Sequence, residues 1–277
     1  PTRRRAWHVQ PWSSPAGFAP GCDDGCMVER LAVVGGAGRI GAQVVRSLET
    51  RGIRAASLSR RTGFDLQRSS ADQLVRALDG VDALIDCSDA ADRTIATFEA
   101  SARALSLAAG RAGVERIVAV SIVGIDRPGL AKAAYYQGKL AQERGLAAGT
   151  VPVTVVRTTQ WFGFADQIFP HLPLGGFGRV GLAPRMRMQP VANSAVGDRL
   201  ARAALDDAPG TRVELAGPEQ LMFAELIRRV WRARDVRARV AQVPIPGVPG
   251  FADGSLLPGP NTELDTTTIE HWVATGR

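Results

Sequence analysis

The chain has 277 residues, of which 45% are hydrophobic and 22% charged, and it carries a net charge of +7. This length suffices for one large core, or for one core with a small added lobe. No run approaches the ~18 consecutive apolar residues of a membrane helix, so we predict a globular protein with no membrane partner. The basic residues are mixed with acids along predicted helices and accompany no nucleic-acid-binding motif, which argues against a nucleic-acid partner.

The first 26 residues differ from the rest of the chain. They have no hydrophobic period and are rich in Pro, Gly and Ser, so we predict that residues 1–26 are a disordered N-terminal extension. The "RRR" within them is followed by no apolar segment, which argues against a twin-arginine signal. Met27 stands directly before the first predicted strand. We therefore expect residues 27–277 to form a single domain.

From Arg30 onward, short apolar runs alternate with longer helical segments. This alternation predicts βαβ crossovers and hence an α/β fold, a doubly wound parallel sheet of the Rossmann type. The predicted strands and helices are, in order, "RLAVVGG", Ile40–Thr50, "IRAASLS", "SADQLVRALDG", "VDALIDCS", Arg93–Ala112, "ERIVAVSIVG", Ala131–Ala148 and "VPVTVVRTT".

Beyond Arg157 the pattern changes. The stretch "FPHLPLGGFGRVGLAP" is loop-like, and it precedes helical patterns in "PVANSAVGDRLARAALDD" and "MFAELIRRVWRARD", a short strand in "RVELAGP" and a final helix. We interpret this part, mainly residues 158–277, as a small substrate lobe that completes a cleft above the sheet.

The stretch "LAVVGGAGRIGAQVV" links the first strand to the first helix. Its glycines fit two spacings, Gly35-x-x-Gly38-x-x-Gly41 and Gly36-x-Gly38-x-x-Gly41. Early glycines permit a tight turn close to a pyrophosphate, and the last lets the helix pack on the strand. The helix N-terminus then offers N–H groups and a positive dipole to the anion. This turn predicts a dinucleotide site formed by Gly35, Gly38, Arg39, Ile40 and Gly41.

The end of the second strand indicates which dinucleotide is bound. NAD enzymes place an acid there for the ribose 2′-hydroxyl, whereas this chain has Ser59, Arg60 and Arg61. Guanidinium groups suit a 2′-phosphate. We therefore predict that NADP(H) is preferred and NAD(H) remains possible; the alternative is a pair of exposed loop arginines.

Three residues further along are candidates for proton transfer. Tyr135 and Lys139 are four residues apart and so share a helix face, while Ser121 ends a strand at the carboxyl edge of the sheet. A lysine near the tyrosine hydroxyl is expected to lower the pKa of that tyrosine, which can then exchange a proton with a carbonyl or alcohol. The serine hydroxyl can orient the reacting oxygen. Tyr136 is the competing tyrosine, in a less suitable i+3 relation to Lys139.

Together, the glycine motif, Ser121 and Tyr135-x-x-x-Lys139 resemble the short-chain dehydrogenase/reductase superfamily. The segments "YYQGKLAQE", "VTVVRTTQWFGF" and "VELAGPE" are similar to its atypical, NmrA-like branch. The resemblance implies that Lys139 also holds the nicotinamide ribose. It further implies that adenine is approached by Asp65 and Leu66, and that Cys87 and Ser88 line the coenzyme. The superfamily's Asn-Ala-Gly type segment is replaced here by "CSDAAD".

A substrate wall is predicted after the strand ending at Arg157. In "TTQWFGF", the residues Gln160, Trp161, Phe162 and Phe164 would project over the nicotinamide. An aromatic wall suits an apolar carbonyl, enone or quinone. The alternative is that these aromatics only pack the lobe against the sheet.

The favoured prediction is an NADP-preferring oxidoreductase with a small-molecule substrate, acting in the cytoplasm as a monomer or homodimer. No metal is expected, because the cysteines and histidines are few and not at zinc spacing. Two alternatives remain. One is a non-catalytic sensor of the NADP redox state that binds a regulatory protein. The other is a nucleotide-sugar epimerase that uses bound NAD.

Overall fold

The computed structural model of the protein describes residues 30–165, 180–206, 208–236 and 239–275. The predicted extension and its two cysteines, and His171 in the predicted loop, lie outside these ranges. Among the described residues, no helix is both long and apolar enough to cross a bilayer.

Strands and helices alternate through the first half of the chain, as predicted. They are β1 (Leu31–Val34), α1 (Gly41–Thr50), β2 (Ala55–Leu58), α2 (Ala71–Ala77), β3 (Ala83–Asp86), α3 (Ile95–Ala112), β4 (Arg116–Ile122), α4 (Ala134–Leu146) and β5 (Val153–Thr158). The second half contains β6 (Val180–Pro184), β7 (Arg187–Met188), α5 (Asn193–Leu205), β8 (Arg212–Ala216), β9 (Leu221–Met222), α6 (Phe223–Ala233), β10 (Arg239–Val243), β11 (Glu263–Leu264) and α7 (Ile269–Thr275).

Seven of these strands form one parallel sheet in the order β11-β8-β5-β4-β3-β1-β2. Strand β1 therefore lies between β2 and β3, and the strand order reverses at this point. In such sheets a ligand binds in the crevice at the carboxyl ends of the strands where the order reverses. The predicted doubly wound parallel fold is confirmed.

The sheet is covered on both faces, which is why its strands are apolar on both sides. One face packs on α1 and α5 and buries Leu31 and Val33. The opposite face buries Ala32 and Val34 beneath helices that include α2 and α3. The alternation of β1 side chains between two separate cores follows from the period of two in a strand.

A third hydrophobic cluster is formed mainly by the second half of the chain, with Leu130 from the first half, and it centres on α6, whose Phe223, Ile227 and Trp231 are buried. Two small sheets, β6 with β10 and β7 with β9, flank it. These short strands are not predicted by the sequence. By contrast, strands β8 and β11 belong to the main sheet, and α5 packs against it. The second half of the chain therefore contributes both to the main sheet and to the third cluster.

One arginine fastens the loop after β4 to a distant part of the chain. The guanidinium of Arg127 donates to the backbone carbonyls of Gly254, Ser255 and Leu257, at 3.3, 3.0 and 2.9 Å. Gly124 (φ 74°) lies in the same loop, and a Cβ atom there would clash with the carbonyl oxygen of Ser255. The 254–257 segment is thus held directly beside the carboxyl end of the sheet.

Candidate active site

A cleft of about 730 Å³ lies at the carboxyl ends of the central strands. It is lined by nearly all the residues that the sequence singles out. These are Gly35, Gly38, Arg39, Ile40, Ser59, Arg60, Arg61, Asp65, Leu66, Cys87, Ser88, Ser121, Tyr135, Lys139, Gln160, Trp161 and Phe164. The remaining two, Gly41 and Phe162, do not line it.

The glycine-rich turn forms one end of the cleft. Gly35 has φ 74°, a left-handed conformation that favours glycine, and a Cβ atom there would lie 2.7 Å from the carbonyl oxygen of Cys87. At Gly41 a Cβ atom would clash with the Gly35 carbonyl oxygen, so only glycine lets α1 begin this close to β1. No side chain caps the N-terminus of α1. The turn therefore has the compact geometry that the motif predicts, and its open helix end faces the cleft.

The end of β2 carries two cationic side chains into the same cleft. Arg60 and Arg61 start a short 3-10 turn, Arg60–Thr62, which Ser59 precedes. The Thr62 hydroxyl donates to the carbonyl oxygens of Ser57 and Ser59, at 2.8 and 2.9 Å, and so fixes this turn. Both guanidiniums are exposed, and neither makes an ion pair among the described residues. They are available for an anion.

The segments after β2 and β3 supply the neighbouring walls. Asp65 accepts a hydrogen bond from the backbone of Gln67 at 3.1 Å and lies with Leu66 beside the two arginines. Cys87 follows β3, and burial raises the pKa of its thiol, which therefore stays protonated. Nothing in the geometry gives Cys87 a chemical role beyond lining the cleft.

Lys139 is held by a buried chain of hydrogen bonds. Its ammonium group donates to the Gln142 side-chain oxygen at 2.5 Å, and the Gln142 amide donates to Asp86 at 2.9 Å. Lys139 and Gln142 are only 5% and 4% exposed, and Asp86 is fully buried. Burial lowers the pKa of Lys139, while the charge of Asp86 acts in the opposite direction. The carboxylate at the end of β3 thus stabilises the lysine charge through one glutamine.

Tyr135 differs from its predicted state. Its pKa is raised to about 12, first by burial and then by the charge of Asp89, whereas Arg93 acts to lower it. The predicted lowering of this pKa by Lys139 is therefore wrong for this arrangement, because the lysine ammonium group bonds to Gln142 instead. A tyrosine with this pKa is protonated at neutral pH, so its hydroxyl has a proton to donate.

Two polar side chains in the cleft have no partner among the described residues. The Ser121 hydroxyl is buried, with the residue 1% exposed, and no hydrogen bond reaches it. The side-chain oxygen and nitrogen of Gln160 are likewise buried and unpaired. Buried polar groups are nearly always hydrogen-bonded. Since both residues line the cleft, these atoms indicate where a polar ligand would complete the site.

The aromatic side chains that line the cleft are more numerous than predicted, and one of the predicted residues is not among them. Trp161 and Phe164 line the cleft, but Phe162 is fully buried in the third hydrophobic cluster, 5.6 Å from Trp272 between ring centroids. Successive residues after a strand point in different directions, so only some of "QWFGF" can face the ligand. The alternative of packing the lobe holds for Phe162.

Four further aromatic side chains form a row along the cleft. Phe98, Tyr135, Tyr136 and Phe251 contact one another edge to face, with successive centroids 6.0, 5.9 and 5.9 Å apart. Tyr136 packs on Phe251 within this row. Sequence reasoning does not identify Phe251, since nothing near it in sequence marks it as part of the site. Gln142 was identifiable in principle, as a polar residue three positions beyond Lys139 on one helix.

Within the described ranges, no group of three or more His, Cys, Asp or Glu residues is arranged to hold a metal ion. The polar groups that line the cleft are hydroxyl, amide, ammonium and guanidinium groups together with the carboxylates of Asp65 and Asp89.

Comparison with known families identifies the first half of the chain. Residues 35–162 match a family model described as NAD(P)H-binding. This match spans the glycine-rich turn, the Tyr135–Lys139 pair and the start of the aromatic wall. No curated protein sequence matches this chain.

Solved structures with the same fold include several NAD(P)-dependent enzymes. An NADPH-dependent quinone oxidoreductase from Escherichia coli, complexed with NADPH, is 18% identical, with a TM-score of 0.68 over 88% of this chain and 99% of that one. A triphenylmethane reductase from Citrobacter sp., complexed with NADP(H), is 15% identical, with a TM-score of 0.67 over 89% and 99%. A nucleoside-diphosphate-sugar epimerase from Pseudomonas aeruginosa is 17% identical, with a TM-score of 0.64 over 89% and 95%.

Proposed function

We propose that this chain, whose residues 35–162 match an NAD(P)H-binding family model, is an NADP-preferring reductase of the atypical short-chain, NmrA-like type. Its substrate would be an apolar carbonyl, enone or quinone. One observation carries the proposal. A single cleft joins the free guanidiniums of Arg60 and Arg61, the glycine-rich turn, the candidate proton donor Tyr135 and the aromatic row.

The residues present fit a phosphorylated dinucleotide. The glycine-rich turn leaves room for a pyrophosphate beside the N-terminus of α1, and Arg60 and Arg61 offer charge-assisted hydrogen bonds to a 2′-phosphate. Asp65 and Leu66 would contact adenine, while Cys87 and Ser88 would lie along the coenzyme between its two ends. The coenzyme supplies the hydride in this class of reaction.

The proton would come from this chain's own residues. Tyr135 is protonated at neutral pH, which favours proton donation to a developing alkoxide, the reducing direction. The unpaired Ser121 hydroxyl would donate a hydrogen bond to the same oxygen. Lys139, fixed by Gln142, would hold the ribose and contribute positive charge to the site. Gln160, Trp161 and Phe164 would contact the substrate.

Coenzyme preference is the first test. Thermal unfolding with NADPH, NADP⁺ and NADH should give the largest stabilisation with the phosphorylated forms, since a ligand that binds only the folded state raises its stability. The double variant Arg60→Ala/Arg61→Ala should weaken NADPH binding by at least about tenfold and leave NADH binding unchanged. Arg54→Ala, an exposed arginine outside the cleft, is the matched control. Equal weakening of both coenzymes would contradict the 2′-phosphate assignment.

Activity is the second test. NADPH oxidation is followed with a panel of quinones, enones and aromatic aldehydes, and Tyr135→Phe should abolish carbonyl reduction while coenzyme affinity is retained. Binding without turnover of any of these compounds would favour the sensor alternative. The structural similarity to an epimerase gives the other alternative a specific test, turnover of a nucleotide-sugar with NAD. The basic residues after β2 argue against it.

A further inference from the structure

The turn between β3 and α3 places one arginine at the substrate end of the cleft. The backbone N–H of Arg93 donates to the Ala90 carbonyl at 3.1 Å, and its side chain is exposed and lines the cleft. Arg93 has φ 54°, in the left-handed region that residues with a side chain rarely adopt. Such a conformation is unfavourable for a residue with a side chain and persists only where the surroundings impose it.

The residues on either side of Arg93 impose this conformation. The Asp92 carboxylate accepts hydrogen bonds from the Thr94 backbone at 3.0 Å and from the Thr97 hydroxyl at 2.8 Å. Thr94 in turn caps α3 by accepting from the Thr97 backbone at 3.2 Å. The backbone of Arg93 is therefore fixed between a tight turn and a capped helix. This fixes the position of its Cα atom at the edge of the cleft.

The guanidinium of Arg93 lies over the ring of Tyr135, 5.4 Å from the ring centroid. Arg93 makes no ion pair within the part of the chain that the structure describes, although Asp89 also lines the cleft. A guanidinium stacked on a ring still presents N–H groups at its edge, and these suit a carboxylate or sulfonate. The next wall of the cleft, Tyr136 and Phe251, is aromatic.

We propose that Arg93 binds an anionic substituent of the substrate, so that the preferred substrate is an aromatic carbonyl or quinone bearing an acidic group. Its ring would lie along the aromatic row, and its acidic group would pair with the guanidinium above Tyr135. This inference rests on the proposed reductase function. Coenzyme phosphates are a separate source of negative charge, and the residues offered to them lie at the glycine-rich turn and at Arg60 and Arg61.

The kinetic test compares 1,4-naphthoquinone-2-sulfonate with the neutral 2-methyl-1,4-naphthoquinone. Arg93→Ala should raise KM for the sulfonate at least about tenfold more than it raises KM for the neutral quinone, because only the sulfonate loses a charged partner. Arg93→Lys should retain part of the preference, and added salt should reduce it. Arg103→Ala, on an exposed part of α3 outside the cleft, is the matched control. An equal rise of KM for both quinones would overturn the proposal.

Two further measurements separate the causes of failure. Arg93→Gly removes the charge but suits a positive φ, so it should reproduce the selectivity loss without loss of folding. Calorimetric titration of NADPH-bound protein with 2-naphthoate and 2-naphthalenemethanol requires no turnover. If no quinone is reduced but Arg93→Gly selectively weakens 2-naphthoate, the reductase function fails and the anion site stands. If Arg93→Gly weakens NADPH itself, or both naphthalenes equally, the anion site is wrong.

Discussion

Replacing Gln142 by Leu isolates the buried chain that holds Lys139. The substitution keeps the approximate volume but removes the hydrogen bonds of the Gln142 side chain, one accepted from the Lys139 ammonium group, one donated to Asp86 and a longer one donated to the Ser88 hydroxyl at 3.4 Å. A hydrogen bond to a charged group contributes about 1.5–3 kcal/mol to stability. The two charged partners of Gln142 are Lys139 and Asp86, and both residues are at most 5% exposed. We therefore expect the free energy of unfolding to fall by about 3 kcal/mol at neutral pH, with a Tm lower by roughly 6–12 °C.

The pH dependence follows from the direction of the Lys139 shift. Its pKa in the folded protein is lowered by burial, so the folded state holds this proton less tightly than the unfolded chain does. Stability from this group therefore increases as the pH rises towards the ordinary value of 10.5. Without Gln142 the lysine loses its acceptor and its pKa falls further. The deficit of Gln142→Leu should hence be largest at neutral pH and shrink in more basic solution.

Urea unfolding at several pH values measures both effects. Gln137→Leu serves as the control, since it lies on the same helix and loses one neutral hydrogen bond, from its amide to the Leu130 carbonyl at 3.3 Å. The reasoning is refuted if Gln142→Leu is no less stable than Gln137→Leu. It is also refuted if the deficit of Gln142→Leu does not change with pH.

Three other changes test separate parts of the molecule. Gly41→Ala should lower the free energy of unfolding by about 2 kcal/mol or more and abolish coenzyme binding, because the new Cβ atom would clash with the backbone of the glycine-rich turn. Gly52→Ala is the control, since Gly52 has φ 75° and open space around it, and it should lower the free energy of unfolding by only about 1 kcal/mol. Thermal unfolding measures both variants. Reduction that depends on Tyr135 should show no titration by this residue between about pH 6 and pH 9, since its pKa is about 12; a midpoint there that disappears in Tyr135→Phe would count against this. Burial acts to raise the pKa of Asp126, but the hydrogen bond from Arg157 holds it below its ordinary value of 3.8, so its stabilisation is lost as the pH falls below that value. Acid urea unfolding of Asp126→Asn should therefore show a smaller loss of stability than the parent protein, and an identical loss would contradict the assignment.

The main sheet was predictable because its signal is local. Each strand is a short apolar run, helices α2 and α3 have capping side chains at Ser70 and Thr94, and the order of the elements restricts the topology. The glycine spacing likewise reflects contacts within one turn, as the carbonyl of Gly35 beside Gly41 illustrates. Element ends were less well predicted. Helix α3 begins at Ile95 and not at Arg93, because Thr94 caps it and Arg93 takes a left-handed conformation.

Contacts between distant segments account for what the sequence does not reveal. The partner of Lys139 is Gln142, but Asp86 completes the chain from another strand, and only the fold brings them together. The assignment of Phe162 to the wall failed because the direction of a side chain after a strand depends on local backbone geometry. Phe251 lines the cleft although it is far in sequence from the other lining residues. It lies next to the 254–257 segment, which Arg127 holds by hydrogen bonds.

Different parts of the cleft come from different parts of the chain. The glycine-rich turn, the arginines after β2 and the Tyr135–Lys139 pair all precede β5, whereas Trp161, Phe164 and Phe251 follow it. Under the proposed function, insertions, swaps or point changes in the later segments should therefore alter which substrate is accepted while the coenzyme stays the same. Directed evolution towards new reactants would best confine its libraries to that later half, together with the few positions such as Arg93 and Tyr136 that intrude from the earlier one.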